Sequence, residues 1–99
     1  MFRSLPKDAD TQVIGKQVLR SGTSVGANYR AACRARSHAE FVAKIGIVVE
    51  EADETVYWLE LLAETQAVKP QRLDAIKGEA EQLTAIFTAA KETAKANRN

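Results

Sequence analysis

The side chains best suited to binding an anionic ligand lie in the first third of the sequence. Four arginines with a carboxamide and a phenol between them form this cluster: Arg20, Asn28, Tyr29, Arg30, Arg34 and Arg36. Guanidinium groups bind phosphates, and an aromatic ring beside them can stack on a nucleic-acid base. The cluster is therefore a candidate contact surface for nucleic acid or for a protein partner.

The distribution of charge offers a second interpretation of these arginines. The chain has 14 basic and 13 acidic residues and a pI of about 7.9, whereas nucleic-acid-binding domains are usually strongly basic. Residues 1–36 carry a local charge of +5, residues 37–67 carry −6 and residues 68–99 carry +2. We therefore favour ion pairs between the arginines and the acidic middle segment of the same or a neighbouring subunit, with nucleic-acid contact as the alternative.

Residues 22–26 match the Gly-x-Ser-x-Gly pattern of hydrolases, with Ser24 at the centre. In hydrolases a strand precedes this serine, and an acidic residue and then a histidine follow it. The single histidine, His38, follows Ser24 with no Asp or Glu between them. We interpret His38 as a surface residue of a capping turn and Cys33 as a small, partly buried apolar side chain. The sequence thus predicts no catalytic residue.

Carboxylates are dense in the middle of the chain, at Glu50, Glu51, Asp53, Glu54, Glu60 and Glu64. Di-iron helical bundles also use helical carboxylates, but they add Glu-x-x-His pairs from two helices. No histidine lies within or after this cluster. We interpret it as a solvated or ion-paired face, and we predict no metal, no cofactor and no small-molecule substrate.

The elements that must position these residues are helical. Alanine is abundant, whereas the chain has only 5 glycines and 2 prolines, and no alternating strand pattern is present. We predict helices over about 9–35, with kinks or a close backbone approach at Gly22 and Gly26, and over 38–66 and 70–96. A leader ending at residues 6–8 precedes them. Ser37 followed by Glu40 forms a capping box, and Pro70 suits a first helical turn.

The middle helical segment is apolar on more than one side. One seam with 4-3 spacing predicts the bundle core: Phe41, Ile45, Val48, Ala52, Thr55, Leu59 and Leu62. A second stripe holds Ile47, Trp58 and Leu61. Because an amphipathic surface helix has only one apolar stripe, this helix needs several neighbours. We predict an oligomer interface at Ile47, Glu51, Glu54, Trp58 and Leu61.

Length and composition limit the remaining choices. A chain of 99 residues and 10.8 kDa with 45% apolar and 27% charged residues fits one globular domain, residues 1–99. One cysteine cannot form an internal disulfide. No apolar run could span a membrane, and no signal peptide is present. These features predict a cytoplasmic protein with no membrane partner.

Several segments together resemble the bacterial four helix bundle protein family. The resemblance covers about Phe2 to Leu62 and rests on RSGTSVGANYRAA at 20–32, RARS at 34–37, EF at 40–41, EEADE at 50–54 and WLELL at 58–62. Founding members of the family are encoded by intervening sequences in 23S ribosomal RNA genes, and some are labelled S23 ribosomal proteins. The segments are a family marker and not an active-site motif.

The resemblance implies an all-α, up-down antiparallel bundle in which three helices of this chain correspond to helices 2–4 of four. It implies a ring-like homo-oligomer, with a pentamer favoured, and no established activity. Related accessory proteins of diversity-generating retroelements are strongly basic pentamers that engage a reverse transcriptase and nucleic acid. We therefore predict a non-enzymatic, homo-oligomeric scaffold or adaptor. The alternative is a nucleic-acid-associated accessory protein that uses the arginine cluster.

Overall fold

The computed structural model describes residues 9–97, so the predicted leader and the start of the family resemblance at Phe2 lie outside the described residues. Three helices follow one another, α1 at Ala9–Cys33, α2 at His38–Glu64 and α3 at Pro70–Ala96. Short turns join them, so successive helices are antiparallel, and residues 9–97 contain no strand. The prediction of an all-α antiparallel bundle is confirmed.

The helix ends follow from local chemistry. Ser37 is the N-cap of α2, and its Oγ accepts a hydrogen bond from the Glu40 amide at 3.0 Å, which satisfies a backbone donor of the first turn. The Glu40 carboxylate accepts in return from the Arg36 amide at 3.2 Å. Helix α2 ends at Glu64, two residues before the predicted end at 66, and the chain turns at Gln66, a non-glycine residue with a φ of 58°. Pro70 opens α3, as predicted.

Helix α2 is the centre of the bundle, because α1 and α3 both pack against it while their own backbones come no closer than 8 Å between Cα atoms. The predicted seam on α2 supplies most of the core, with Ile45, Val48, Ala52, Leu59 and Leu62 buried. Leu73 of α3 packs against Leu59 and Leu62. The bundle therefore has two closed interfaces, α1–α2 and α2–α3.

The α1–α2 interface also contains a buried polar contact. Ser21 is completely buried, and its Oγ lies 2.9 Å from the Gln17 carbonyl oxygen. The Thr55 hydroxyl of α2 donates to Ser21 Oγ at 2.8 Å. Because buried hydroxyls are costly when unpaired, this contact favours one register of α1 on α2.

Gly22 and Gly26 of α1 do not mark a close contact within the described part of the chain. A Cβ atom built at Gly22 or Gly26 would meet no atom within 4 Å apart from its own helix, so the close backbone approach that the sequence suggested does not occur at either position. Helix α1 runs uninterrupted past both glycines and ends at Cys33, two residues before the predicted end at 35. Gly22 instead lines a small apolar groove of about 130 Å³ between α1 and α3, with Leu83 on the opposite side.

Candidate functional site

The outer face of the α1–α2 interface carries the residues that the sequence analysis assigned to an oligomer interface. Ile47, Glu51, Glu54, Trp58 and Leu61 follow a 4-3-4-3 spacing along α2 and therefore share one stripe of that helix. Ile47 is 37% exposed, and the other four are half-buried. We call these five residues the seam patch.

Arg20 of α1 lies over the seam patch. Its Nη1 is 3.3 Å from Glu51 Oε2, its Nη2 pairs with Glu54 Oε1, and its Nε donates to Gln17 Oε1 at 2.8 Å. The expected pairing of an arginine with the acidic middle helix therefore occurs within one chain at Arg20. Because the Arg20 side chain is 46% exposed, solvent screens much of this attraction.

Trp58 is held in the same network. Its indole Nε1 donates to Glu54 Oε1 at 2.9 Å, so Glu54 accepts from both Arg20 and Trp58. The Tyr57 ring meets the Trp58 ring edge-on, with centroids 5.1 Å apart. These contacts fix the orientation of Trp58.

At its Leu61 end the seam patch borders α1 in a depression of mixed polarity, which Asp10, Thr11 and Glu64 also line. Val13 is 58% exposed and lines this open depression of about 590 Å³ together with Leu61, Ile14 and Thr65. Tyr57, beside Trp58, is 53% exposed. Val13 and Tyr57 were absent from the predicted interface, because the heptad stripe of α2 alone points to neither.

The other predicted contact residues surround the end of α1. Arg30 is in the last turn, and Arg34 and Arg36 follow it in the connection to α2. All three are exposed, and none forms an ion pair within residues 9–97. The structure thus separates Arg20, which is paired, from Arg30, Arg34 and Arg36.

Asn28 and Tyr29 make short-range contacts near this end. Asn28 Nδ2 donates back to the Ser24 carbonyl oxygen at 2.9 Å and to Ser24 Oγ at 3.1 Å. Tyr29 is 47% exposed, and its ring packs on Phe87 of α3 with centroids 5.4 Å apart. A hydrogen bond with Cys33 raises the pKa of the Tyr29 hydroxyl above its usual 10.0. The phenol is therefore uncharged at neutral pH.

The residues that suggested catalysis are occupied by structural contacts. Ser24 lies in the middle of α1 and accepts from Asn28. His38 is exposed, and its Nε2 lies 2.7 Å from the Ala94 carbonyl oxygen of α3. Cys33, the last residue of α1, is exposed, which corrects the expectation that it is partly buried.

Two further findings apply to residues 9–97. No group of three or more His, Cys, Asp or Glu side chains there is arranged to hold a metal ion. In the same part of the chain, no helix combines the length and apolar character needed to cross a membrane.

The comparisons with known proteins agree with the fold. A family model described as 23S rRNA-intervening sequence protein matches residues 1–89. A crystal structure of a protein with unknown function from the S23 ribosomal protein family of Bacteroides thetaiotaomicron is similar, with a TM-score of 0.77 and 40% identity over 81% of this chain and 71% of that chain. No curated protein matches the chain. The family model covers most of the sequence, and we conclude that this chain belongs to the 23S rRNA-intervening sequence protein family.

Proposed function

We propose that this protein is a non-enzymatic scaffold or adaptor that works as a cytoplasmic homo-oligomer, assembled through the seam patch. The observation that carries the proposal is the apolar surface along the outside of α1 and α2, where Ile47, Val13 and Tyr57 are 37%, 58% and 53% exposed. Large apolar side chains exposed along one face of a small domain, on both sides of the Arg20–Glu51–Glu54 ion pairs, favour an interaction site there.

The polar groups of the seam patch suit an interface. Glu51 and Glu54 share the single guanidinium of Arg20, so a second subunit would bury one net negative charge and would have to place a basic side chain opposite it, because an unpaired buried carboxylate is costly. Trp58 presents a large ring whose Nε1–H is satisfied by Glu54. Tryptophan at the centre of a contact surface is the residue type that most often dominates binding energy. A ring of five subunits is the assembly we expect from the family resemblance.

The proposed lack of enzymatic activity rests on the geometry of the nucleophile and base candidates. Ser24 Oγ accepts a hydrogen bond from Asn28, and His38 Nε2 lies within hydrogen-bond distance of the Ala94 carbonyl oxygen. A serine nucleophile needs a base within hydrogen-bond reach and a third group that orients the base. Neither residue makes such a contact with the other.

Absolute mass in solution tests the assembly. We expect light scattering on a sizing column to give a discrete multiple of the 10.8 kDa chain, with five copies as the preferred count. The double variant Trp58→Gln and Leu61→Gln should have the mass of one chain, because it lacks the two apolar side chains that form the contact between subunits. A wild-type chain that is already monomeric, or a double variant of unchanged mass, would contradict the proposal.

A matched control lies on α3. Leu83 and Ile86 are 47% and 61% exposed, so Leu83→Gln with Ile86→Gln makes the same kind of change away from the seam patch and should leave the mass unchanged. If the Trp58 and Leu61 variant loses helicity, Val13→Gln tests the same surface at a more exposed position. Circular dichroism separates dissociation from unfolding.

A second candidate function is an accessory role with nucleic acid. One observation favours it: Arg30, Arg34 and Arg36 stay exposed and without an ion pair in residues 9–97, although acidic side chains are plentiful on α2. This surface is distinct from the seam patch, so one molecule can have both functions. Copurification of nucleic acid with the wild-type protein, read as high absorbance at 260 nm, is the direct test.

A further inference from the structure

One end of the bundle contains one terminus of each of the three helices. The up-down-up topology places the C-terminus of α1, the N-terminus of α2 and the C-terminus of α3 together. Two contacts connect them: His38 Nε2 lies 2.7 Å from the Ala94 carbonyl oxygen, and the Tyr29 and Phe87 rings are 5.4 Å apart. We call residues 28–46 and 86–97 the basic end.

Charge is banded along the bundle axis in a way that the sequence order hides. The basic end has six basic and two acidic side chains, because Lys44 of α2 and Lys91 and Lys95 of α3 join the three arginines at and after the end of α1. The adjoining middle band, residues 21–27, 47–57 and 78–85, has six acidic side chains and no basic one. The near-neutral total therefore conceals a local field of the kind that attracts anions.

The arginines at this end have no partner among the described acidic groups. Arg20, which lies over the seam patch, is paired with Glu51 and Glu54. Lys77 contacts Glu60 and Glu81 at 4.0 and 3.8 Å. Arg30, Arg34 and Arg36 form no such pair in the described chain. A basic residue in a last helical turn is favoured by the helix dipole, but Arg34 and Arg36 lie beyond α1. The dipole therefore does not account for all three.

Tyr29 adds an aromatic surface to this end. Its ring rests on Phe87 on one side and is 47% exposed. Its hydroxyl stays uncharged at neutral pH, so the phenol does not repel a phosphate. A partly exposed ring supported from behind and flanked by arginines is the combination that single-stranded nucleic acids bind through stacking and phosphate contacts.

We propose that the basic end binds single-stranded nucleic acid, with Arg30, Arg34 and Arg36 on the phosphates and Tyr29 stacked on a base. The inference rests on the second candidate function above, since it assigns that function a site and a ligand class. The Cα trace of the bundle spans about 20 × 14 Å across its axis. The charged groups around this end thus lie up to about three Debye lengths apart at physiological salt, so their fields add appreciably only at low ionic strength.

The test is a titration of the full chain against a fluorescein-labelled single-stranded RNA oligonucleotide, followed by fluorescence anisotropy at salt concentrations between about 50 and 200 mM. We expect log affinity to fall with log salt, with a contribution of about 0.7 per phosphate contact. The triple variant Arg30→Gln, Arg34→Gln and Arg36→Gln should lose at least about tenfold in affinity at the lowest salt. Its salt slope should be smaller by about 2.

The matched control removes three charges from the opposite end, through Lys16→Gln, Lys69→Gln and Arg72→Gln, and should retain most of the affinity. Tyr29→Leu should weaken binding to the single strand by about fivefold or more and leave binding to a duplex unchanged, because a stacked duplex offers no free base. Circular dichroism should show equal helicity in all variants.

The outcomes distinguish this site from the function on which it rests. Absence of binding by the wild type at the lowest salt would overturn both. Binding that falls equally in the two triple variants would overturn the site and leave the accessory function standing. A preference for duplex, or equally tight binding to a labelled poly-glutamate peptide, would overturn the ligand class.

Discussion

Helices α2 and α3 have the same length, 27 residues, but very different burial. Helix α2 buries five apolar residues, including Val48 and Leu62, which are fully inaccessible to solvent. Helix α3 buries only Leu73 near its start and Ala94 near its end, while Leu83 and Ile86 between them are 47% and 61% exposed. Both helices keep a 3-4 apolar spacing, so spacing alone does not explain the difference.

The number of neighbours explains it. Within residues 9–97, the backbones of two helices come within 8 Å of α2, whereas only that of α2 comes so close to α3. Helix α1 meets α3 through side chains such as Tyr29 and Phe87. A helix with one neighbour can bury only part of an apolar stripe, because each helix–helix contact covers a limited arc. The comparison shows that an apolar stripe predicts what a helix is able to bury, while the topology decides what it does bury.

Truncating one leucine on α2 and one on α3 should give the largest difference in stability between two variants. Leu62→Ala removes a completely buried side chain that packs with Leu59 and Leu73, and we expect it to lower the free energy of unfolding by about 2–5 kcal/mol. Leu83→Ala changes a half-exposed side chain and should cost less than about 1 kcal/mol. Urea denaturation followed by circular dichroism measures both.

Equal losses in the two variants would contradict this comparison. They would mean that Leu83 is covered by a second chain in solution. Repeating the measurement at several protein concentrations separates the cases, because stability that depends on an assembly rises with concentration.

The sequence predicted α2 better than any other part of the fold. Its N-cap and core seam follow from local chemistry and periodicity, and the seam residues Ile45, Val48 and Leu59 are buried as expected. The exposure of Leu83 could not be predicted, because it depends on which helix pairs are adjacent. The same limit applies to Gly22 and Gly26, whose spacing suggested a close approach that α3 does not make.

Helix α1 allows the comparison to be repeated within one element. Its Ser21 is fully buried against α2, whereas a Cβ atom at Gly26 would meet no atom within 4 Å. Gly26→Ala should therefore stabilise the protein by about 0.5–1 kcal/mol, since alanine restricts the unfolded chain and favours the helix. Ser21→Val, the control on the other side, should destabilise it, because a larger side chain is placed at a completely buried position and the hydrogen bond from Thr55 is lost, although the Thr55 hydroxyl keeps the Glu51 carbonyl oxygen as an acceptor.

Thermal denaturation provides the measurement for this pair. A Gly26→Ala variant with a lower melting temperature would show that another backbone approaches α1 at that position. Light scattering on the same variant would then show whether the substitution also lowers the mass of the assembly.

The candidate site was predictable only in its residue types. The sequence identified both Arg20 and the later arginines as one cluster, but helical geometry directs Arg20 toward Glu51 and Glu54 and places Arg30 nearly three turns further toward the bundle end. Lys91 and Lys95 were not recognised as part of the same surface, because they are distant in sequence and reach it only through the antiparallel return of the chain.

The smallest expected effect on the free energy of unfolding concerns the ion pairs at the two closed interfaces, α1–α2 and α2–α3. Arg20 pairs with two carboxylates across α1–α2, and Lys77 contacts Glu60 at 4.0 Å across α2–α3. Arg20→Gln should lower the free energy of unfolding by less than about 1 kcal/mol, and Lys77→Gln by a smaller amount still, because both cations are partly exposed. The difference between them should disappear at about 1 M salt, where charges are screened within about 3 Å.

The fluorescence of Trp58 gives this last comparison a local readout. Its indole Nε1 shares Glu54 with Arg20, so Arg20→Gln should change the emission of the folded protein, whereas Lys77→Gln should not. If Arg20→Gln lowered the free energy of unfolding of the monomer by well over about 1 kcal/mol, this would contradict the view that solvent screens the ion pairs of Arg20 with Glu51 and Glu54. If the loss appears only at concentrations where the chain assembles, the ion pair stabilises the interface between subunits, and Arg20 then belongs to the same contact surface as Trp58.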